Sequence, residues 1–152
     1  MMGLWVGLAV LIGLILPLQA AINNQLKFGL GGSTLLAALV SFLVGSICLF
    51  VISMLTGQKL QNLAGVARVE WWMLLGGCMG ALFVFGTTFL APRMGVAAMI
   101  SLIIAGQVCA SLLLDRLGIL DLPVRELGGW RVLGAVLVIV GVGLVNFGDR
   151  LS

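Results

Sequence analysis

Two groups of polar side chains interrupt otherwise apolar stretches of this sequence. Gln19 and Asn23 lie four residues apart, and Gln107, Ser111 and Asp115 follow one another at the same spacing. A spacing of four places side chains on one face of an α-helix, one above the other. Because amide and hydroxyl groups arranged in this way can hold a small solute by hydrogen bonds, these five residues are the candidate substrate-binding residues.

Pro17 lies next to the first group. A proline inside a helix removes one backbone N–H and leaves the carbonyl of Gly13 without its usual partner. Within a membrane, such irregular backbone is tolerated where it lines a cavity or is covered by protein. One interpretation is therefore a polar pocket around Gln19. The other is that Asn23 and the two polar residues after it cap the helix at the water interface.

The second group also has two interpretations. Gln107 falls near the middle of an apolar run, where an amide is costly unless it finds partners, so it should face the interior of a bundle. Asp115 stands where a helix is predicted to end, and a carboxylate there opposes the helix dipole. It either pairs with the neighbouring Arg116 at the surface or forms a vestibule that leads to Gln107. Lesser candidates are Thr87, Thr88 and Asn146.

The rest of the composition argues against an enzyme. The chain has no histidine, which excludes zinc, haem and serine-hydrolase sites that depend on that residue. Its three cysteines stand singly among apolar residues, as is typical of packing positions. The sequence shows no nucleotide-binding loop, no basic patch and no nucleophile–base pair. We therefore expect neither catalysis, nor a metal or other cofactor, nor a nucleic-acid partner.

The overall composition is that of an integral membrane protein. Of the 152 residues, 62% are hydrophobic and 9% are charged, whereas a soluble domain has roughly 45–50% apolar and about 25% charged residues. So few charged groups cannot coat a water-soluble particle. A disordered chain is also excluded, because such chains are poor in apolar residues.

Five apolar runs approach the roughly 20 residues that a helix needs to cross a bilayer. Their borders carry the charges, since a charge at the bilayer centre costs about 2.5–3.5 kcal/mol. The first run is expected to be a retained span rather than a signal peptide, because the first charge is Lys27. The third is expected to end at Pro92-Arg93. The predicted spans are 3–22, 34–56, 71–91, 94–114 and 130–147.

The runs lack the alternation of barrel strands and exceed their length of roughly 9–11 residues. The predicted fold is therefore all-α: a polytopic membrane helix bundle, with residues 1–152 forming a single five-helix transmembrane domain. Trp71, Trp72 and Trp130 open the third and fifth spans, where aromatic residues commonly anchor a helix at the membrane interface.

The charges of the loops do not select one orientation. Five spans place the two termini on opposite sides, with five basic residues on the N-terminal side and three on the other. Basic loops tend to stay in the cytoplasm, but a difference of two basic residues is too small to select one orientation. Either the N-terminus is cytoplasmic, or the chain inserts both ways and pairs with an inverted copy. The second arrangement would give ten helices about a pseudo-two-fold axis, as in many secondary transporters.

Several segments resemble the short bacterial YdcZ-type family of the drug/metabolite transporter superfamily. They are 18–26 and 35–42, Ala91-Pro92-Arg93-Met94-Gly95, Ala105-Gly106-Gln107 and 111–115. The resemblance implies a five-helix inner-membrane protein that acts as half of a transporter. Members of the family occur as dual-topology homodimers, as pairs of paralogues of opposite topology, or as fused chains of ten helices. Small multidrug resistance proteins, which are related, carry a membrane-embedded glutamate in helix 1. Residues 8–18 of this chain contain no acid, so that proton-driven mechanism does not transfer.

The leading hypothesis is a secondary transporter in the bacterial inner membrane that moves a small neutral or anionic solute by alternating access as an antiparallel homodimer. Gln19, Asn23, Gln107 and Ser111 would line its central site, and Asp115 would shape the entrance. One alternative is a dimeric channel for a small anion. Another is a membrane subunit that does not transport and serves a partner protein.

Overall fold

The structure, a computed structural model, describes residues 2–120 and 122–148. These residues form five α-helices and two 3₁₀ segments, and contain no strand. All five α-helices are long and apolar enough to cross a membrane, which confirms the predicted all-α membrane fold. The helices are α1 (Met2–Gly29), α2 (Thr34–Leu55), α3 (Leu75–Met94), α4 (Val96–Leu117) and α5 (Gly129–Phe147).

The chain divides into two compact units, one ending at Arg93 and the other beginning at Met94. The first contains α1, α2 and α3, and the second contains α4 and α5. That residues 1–152 act as one domain stays a prediction.

Helix α1 is longer than the sequence indicated. It was expected to end near residue 22, but it continues through Pro17 and the polar residues beyond it to Gly29. The chain reverses at Gly31 and Gly32, whose φ angles of 65° and 82° favour glycine. The N–H of Gly32 donates to the carbonyl of Lys27 at 2.9 Å, which closes the helix end. Asn23 therefore lies inside the helix, and the interpretation of this polar group as a terminal cap is wrong.

Helix α3 also passes its expected end. Pro92 and Arg93 belong to its last turn, and the helix runs on to Met94. The break falls at Gly95, whose φ of 84° is accessible to glycine at little cost. Proline has no backbone N–H to donate to the preceding turn, but the residues after it can stay helical. The helix therefore ends two residues after Pro92 rather than at it.

The connection between α2 and α3 has regular structure that was not expected. Leu60–Arg68 forms a 3₁₀ helix of nine residues, and a second 3₁₀ turn over Trp71–Leu74 leads directly into α3. The predicted third span, which began at 71, therefore starts with a tighter turn before it becomes α-helical.

Small residues allow close packing in the first unit. Ala20 of α1 and Ala37 and Ala38 of α2 are buried, and α1 packs against α2. The ring of Phe42 lies against Gly80 of α3, where a Cβ atom would stand 3.2 Å from the ring. Close approach of this kind drives helix association in lipid, where apolar burial alone gives little advantage.

The second unit is an antiparallel pair of helices joined by polar contacts at both ends. Near one end, the side-chain amide of Asn146 donates to Oγ of Ser101 at 3.0 Å. Near the other, Arg131 and Asp115 form an ion pair at 2.6 Å. The two contacts lie about 21 Å apart along α4, from the rise of about 1.5 Å per residue. Together they fix the register of α4 against α5.

A tight turn ends α4. Gly118 has a φ of 58°, and its N–H donates to the carbonyl of Leu114 at 2.9 Å. The side chain of Val124 lies over this glycine and occupies the space that a Cβ atom would need. The following segment is held by the N–H of Arg125, which donates to the Asp115 carbonyl at 2.8 Å.

Replacing this glycine should destabilise the second unit. Gly118→Ala places a Cβ atom in the left-handed region, at a cost of about 1–2 kcal/mol, and against Val124, which raises the cost further. Gly129→Ala is the matched control, because nothing lies within 4 Å of that position. Titration of the purified protein from mild detergent into sodium dodecyl sulfate measures the free energy of unfolding. Equal stabilities of the two variants would contradict the described turn.

The contact between Ser101 and Asn146 should appear as a coupling energy. A double-mutant cycle with Ser101→Ala and Asn146→Ala is expected to give about 0.6 kcal/mol, the mean for interhelical hydrogen bonds in membrane proteins. Ser111→Ala with Asn146→Ala is the control cycle, because the hydroxyl of Ser111 bonds within its own helix. A coupling as small as that of the control would show that α4 and α5 do not meet at these residues.

Candidate functional site

A groove opens among the three helices of the first unit, at the position of Gln19. Its volume is about 230 Å³. The small side chains of α2 along the groove, glycine and serine, leave room for it, and the side chain of Val84 on α3 forms part of its wall. No charged side chain lines it. The lining residues are Gln19, Ser41, Phe42, Gly45, Ser46, Leu49 and Val84.

Two of the polar side chains in this groove are available to a ligand. The hydroxyl of Ser46 already donates to the carbonyl of Phe42 at 2.8 Å, so it presents only its acceptor side. Among the described residues, Gln19 and Ser41 have no hydrogen-bond partner. The groove therefore offers one amide and one hydroxyl against apolar walls.

Asn23 lies one helical turn beyond Gln19 and is 3% exposed. Its Nδ2 is buried without a hydrogen-bond partner among the described residues, and so is Oδ1 of the adjacent Asn24. A buried polar group left unpaired costs about 1–3 kcal/mol. Most buried polar atoms in native proteins are satisfied, so two neighbouring exceptions require an explanation.

The two threonines of α3 are accounted for structurally. Thr87 and Thr88 are buried, and their hydroxyls donate to the carbonyl of Val84 at 3.1 Å and 2.8 Å. Bonding to a carbonyl of the preceding turn is common for threonine in membrane helices. Neither hydroxyl has its proton free for a ligand.

In the second unit, the three predicted residues have different surroundings. Gln107 is exposed on the single chain. Ser111 is also exposed, and its hydroxyl donates to the carbonyl of Val108 at 2.9 Å. Asp115 is paired with Arg131 rather than with Arg116, so the interpretation that paired it with its sequence neighbour is wrong. Residues four apart on α4 thus include one unpartnered amide and one paired carboxylate.

The candidates fall into two sets, Gln19 and Asn23 in the first unit and Gln107, Ser111 and Asp115 in the second. Their joint role in binding stays a prediction. Within residues 2–120 and 122–148, no three acidic, cysteine or histidine side chains come together as metal ligands would.

Sequence reasoning missed the α2 side of the groove. Ser41 and Gly45 lie four residues apart, with Ser46 next to them, and this run of small and polar residues is the signal that could have identified it. It also missed Ser101 as the partner of Asn146, because nothing in the sequence pairs two residues on different helices.

Comparison with known proteins places the chain in a family. Residues 4–144 match the family described as "Putative inner membrane exporter, YdcZ". The chain is 38% identical over 115 residues to the "Inner membrane protein YdcZ" of Escherichia coli (strain K12), an alignment that covers 73% of this chain and 74% of that protein. No solved structure matches. With its five apolar helices, this chain is a multi-pass inner-membrane protein that belongs to the YdcZ family of membrane transport proteins.

Proposed function

We propose that this protein is a secondary transporter that exports a small uncharged solute by alternating access, as an antiparallel homodimer. The description of its family as an exporter supports the direction. Gln19 and Asn23 in the first unit, and Gln107 and Ser111 in the second, are the proposed binding residues. Asp115 is proposed to shape the entrance, with its carboxylate held by Arg131. Neither catalysis nor a cofactor is part of the proposal.

The observation that carries the proposal is the unpartnered amide nitrogen of Asn23. An asparagine that is 3% exposed and unsatisfied destabilises the protein, so folding does not account for its presence. Functional sites commonly keep a local defect of this kind. A solute that accepts a hydrogen bond from Nδ2 would satisfy it.

The groove supports an uncharged solute. Its polar groups are the amide of Gln19 and two serine hydroxyls, and no charged side chain balances an ion there. A bare ion would lose its hydration without gaining a counter-charge, which is costly in a medium of low dielectric constant. A neutral solute with one hydrogen-bonding edge and one apolar face, small enough for about 230 Å³, fits these walls.

The exposed amide of Gln107 supports a dimer. It lies at the middle of α4, where an amide that faced acyl chains would lose its hydrogen bonds. A second polypeptide can cover it. The near balance of basic residues in the loops is the pattern expected of a chain that inserts both ways, so we propose an inverted copy as the partner, with a paralogue of opposite topology as the heterodimeric version.

Asn23→Leu should separate function from stability. Leucine has a similar size and needs no hydrogen bond, so the free energy of unfolding should stay equal or rise by about 1 kcal/mol. Transport should be lost. The measurement is efflux from proteoliposomes loaded with a panel of uncharged metabolites and drugs, followed by mass spectrometry of the external medium.

Thr88→Val is the matched control, because this buried hydroxyl is bonded within its own helix. It should keep transport. A destabilised Asn23→Leu variant that still transports would make Asn23 a structural residue. No efflux of any solute by the unmodified protein would overturn the transporter itself.

The inverted dimer predicts that the C-terminus reaches both sides of the membrane. Fusions of the C-terminus to alkaline phosphatase, active outside the cytoplasm, and to green fluorescent protein, fluorescent inside it, should both give signal. Added arginines in one loop should then shift the ratio of the two signals, because few charges separate the orientations. A signal from one reporter alone would exclude the homodimer and leave the paralogue as partner.

A further inference from the structure

The connection between α2 and α3 is amphipathic, and it is not part of the proposed transport site. Leu60–Arg68 forms a 3₁₀ helix of nine residues, whereas such helices rarely exceed three or four. With three residues per turn, every third side chain falls on the same line. Apolar residues recur at that interval. We call this line the apolar edge: Leu60, Leu63, Val66 and, at the C-cap, Val69.

The remaining sides of this helix are polar or small. They line an open cleft of about 400 Å³ formed by Gln61, Asn62, Ala64, Gly65 and Arg68. The apolar edge is not covered by the chain itself, since Leu63 is 60% exposed and Val66 is 52% exposed. This 3₁₀ helix buries neither its apolar edge nor its polar sides within the protein. Its surroundings must therefore offer an apolar layer to the apolar edge and a polar layer to the other sides.

The position of this helix identifies that surface. It connects the end of α2 at Leu55 to the start of α3, and both helices are long and apolar enough to cross a membrane. The connection therefore lies where hydrocarbon meets water. Trp71 and Trp72 follow it, both exposed, and tryptophan concentrates at that depth.

The charges at the two ends match an anionic layer. Lys59 precedes the 3₁₀ helix and Arg68 ends it. The nearby acidic group, Glu70, accepts a hydrogen bond from the indole N–H of Trp72, so its charge is partly engaged. Lysine and arginine beside an apolar stripe are the pattern by which in-plane helices bind anionic lipids.

We propose that residues 59–70 form an interfacial segment that lies in the membrane plane and binds an anionic phospholipid surface. The apolar edge lies among the acyl chains, and Lys59 and Arg68 contact lipid phosphates. A stripe one residue wide, flanked by basic groups and tryptophans, fits a lipid layer rather than a second protein copy, whose packing would need a broader apolar face.

A cysteine scan tests the geometry. In a full-length background with the three native cysteines replaced by alanine, each position from 60 to 68 is changed to cysteine and reconstituted in vesicles containing phosphatidylglycerol. Reaction rates with a membrane-impermeant maleimide should be at least fivefold slower for Leu60→Cys, Leu63→Cys and Val66→Cys than for Asn62→Cys and Gly65→Cys. Rates rather than extents are compared, since inward-facing copies do not react. A flat profile, or a period other than three, overturns the proposal.

Brominated lipids then distinguish lipid from protein as the cover. A bimane label on Leu63→Cys should be quenched at least twofold more by lipids brominated along the acyl chain than the same label on Asn62→Cys, its immediate neighbour. A slow maleimide rate without this quenching would mean that protein covers the edge, and would overturn the proposal in favour of a second copy.

Charge substitutions test the preference for anionic lipid. When phosphatidylglycerol is replaced by phosphatidylcholine, the maleimide rate at Leu63→Cys should rise about threefold. Adding Lys59→Gln with Arg68→Gln should abolish that difference. The matched control, Arg116→Gln with Arg125→Gln, removes two exposed arginines elsewhere and should preserve it. Equal rates in the two kinds of vesicle would overturn the anionic preference.

Discussion

The bilayer offers no water to a polar group, and this constraint governs the rest of the structure. An unpaired N–H, carbonyl or hydroxyl in hydrocarbon costs several kcal/mol, so the backbone must be helical and most side chains apolar. The hydroxyls that remain are satisfied locally. Thr88, Ser46 and Ser111 each donate to a carbonyl of their own helix. The buried amide atoms of Asn23 and Asn24 are not satisfied in this way, and they therefore require a functional explanation.

The same constraint explains which features the sequence predicts well. Five spans follow from five apolar runs, because length and composition alone decide whether a helix can cross. The end of α1 was predicted too early, because Asn23 and the polar residues after it have the composition of a helix end at the membrane interface. The chain instead turns at Gly31 and Gly32, whose positive φ angles end the helix. The 3₁₀ connection was missed because its apolar residues recur at every third position, whereas sequence patterns are searched for the periods of an α-helix or a strand.

Partners across helices are harder to predict than faces of one helix. One interpretation paired Asp115 with Arg116, the next residue, but neighbours in a helix point about 100° apart. Its partner, Arg131, is distant in sequence and is brought close by the turn at Gly118. In the same way, Gln19 was identified from its own helix, whereas Ser41, which lines the same groove, required the packing of α1 against α2.

The two units differ in what holds their helices together. In α4 and α5, polar contacts join the helices near both ends. Among the described residues of α1, α2 and α3, no side-chain hydrogen bond crosses between helices, and packing of small residues holds them. Apolar contacts without directional bonds permit a small shift at little cost, whereas a bonded pair resists it. A solute that bonds to Asn23 would add the polar contact that the first unit lacks, so it would favour whichever arrangement of these helices brings that bond within reach. A ligand shifts the balance between two arrangements by the difference in its affinity for them, and alternating access further requires that the loaded protein can still pass from one arrangement to the other.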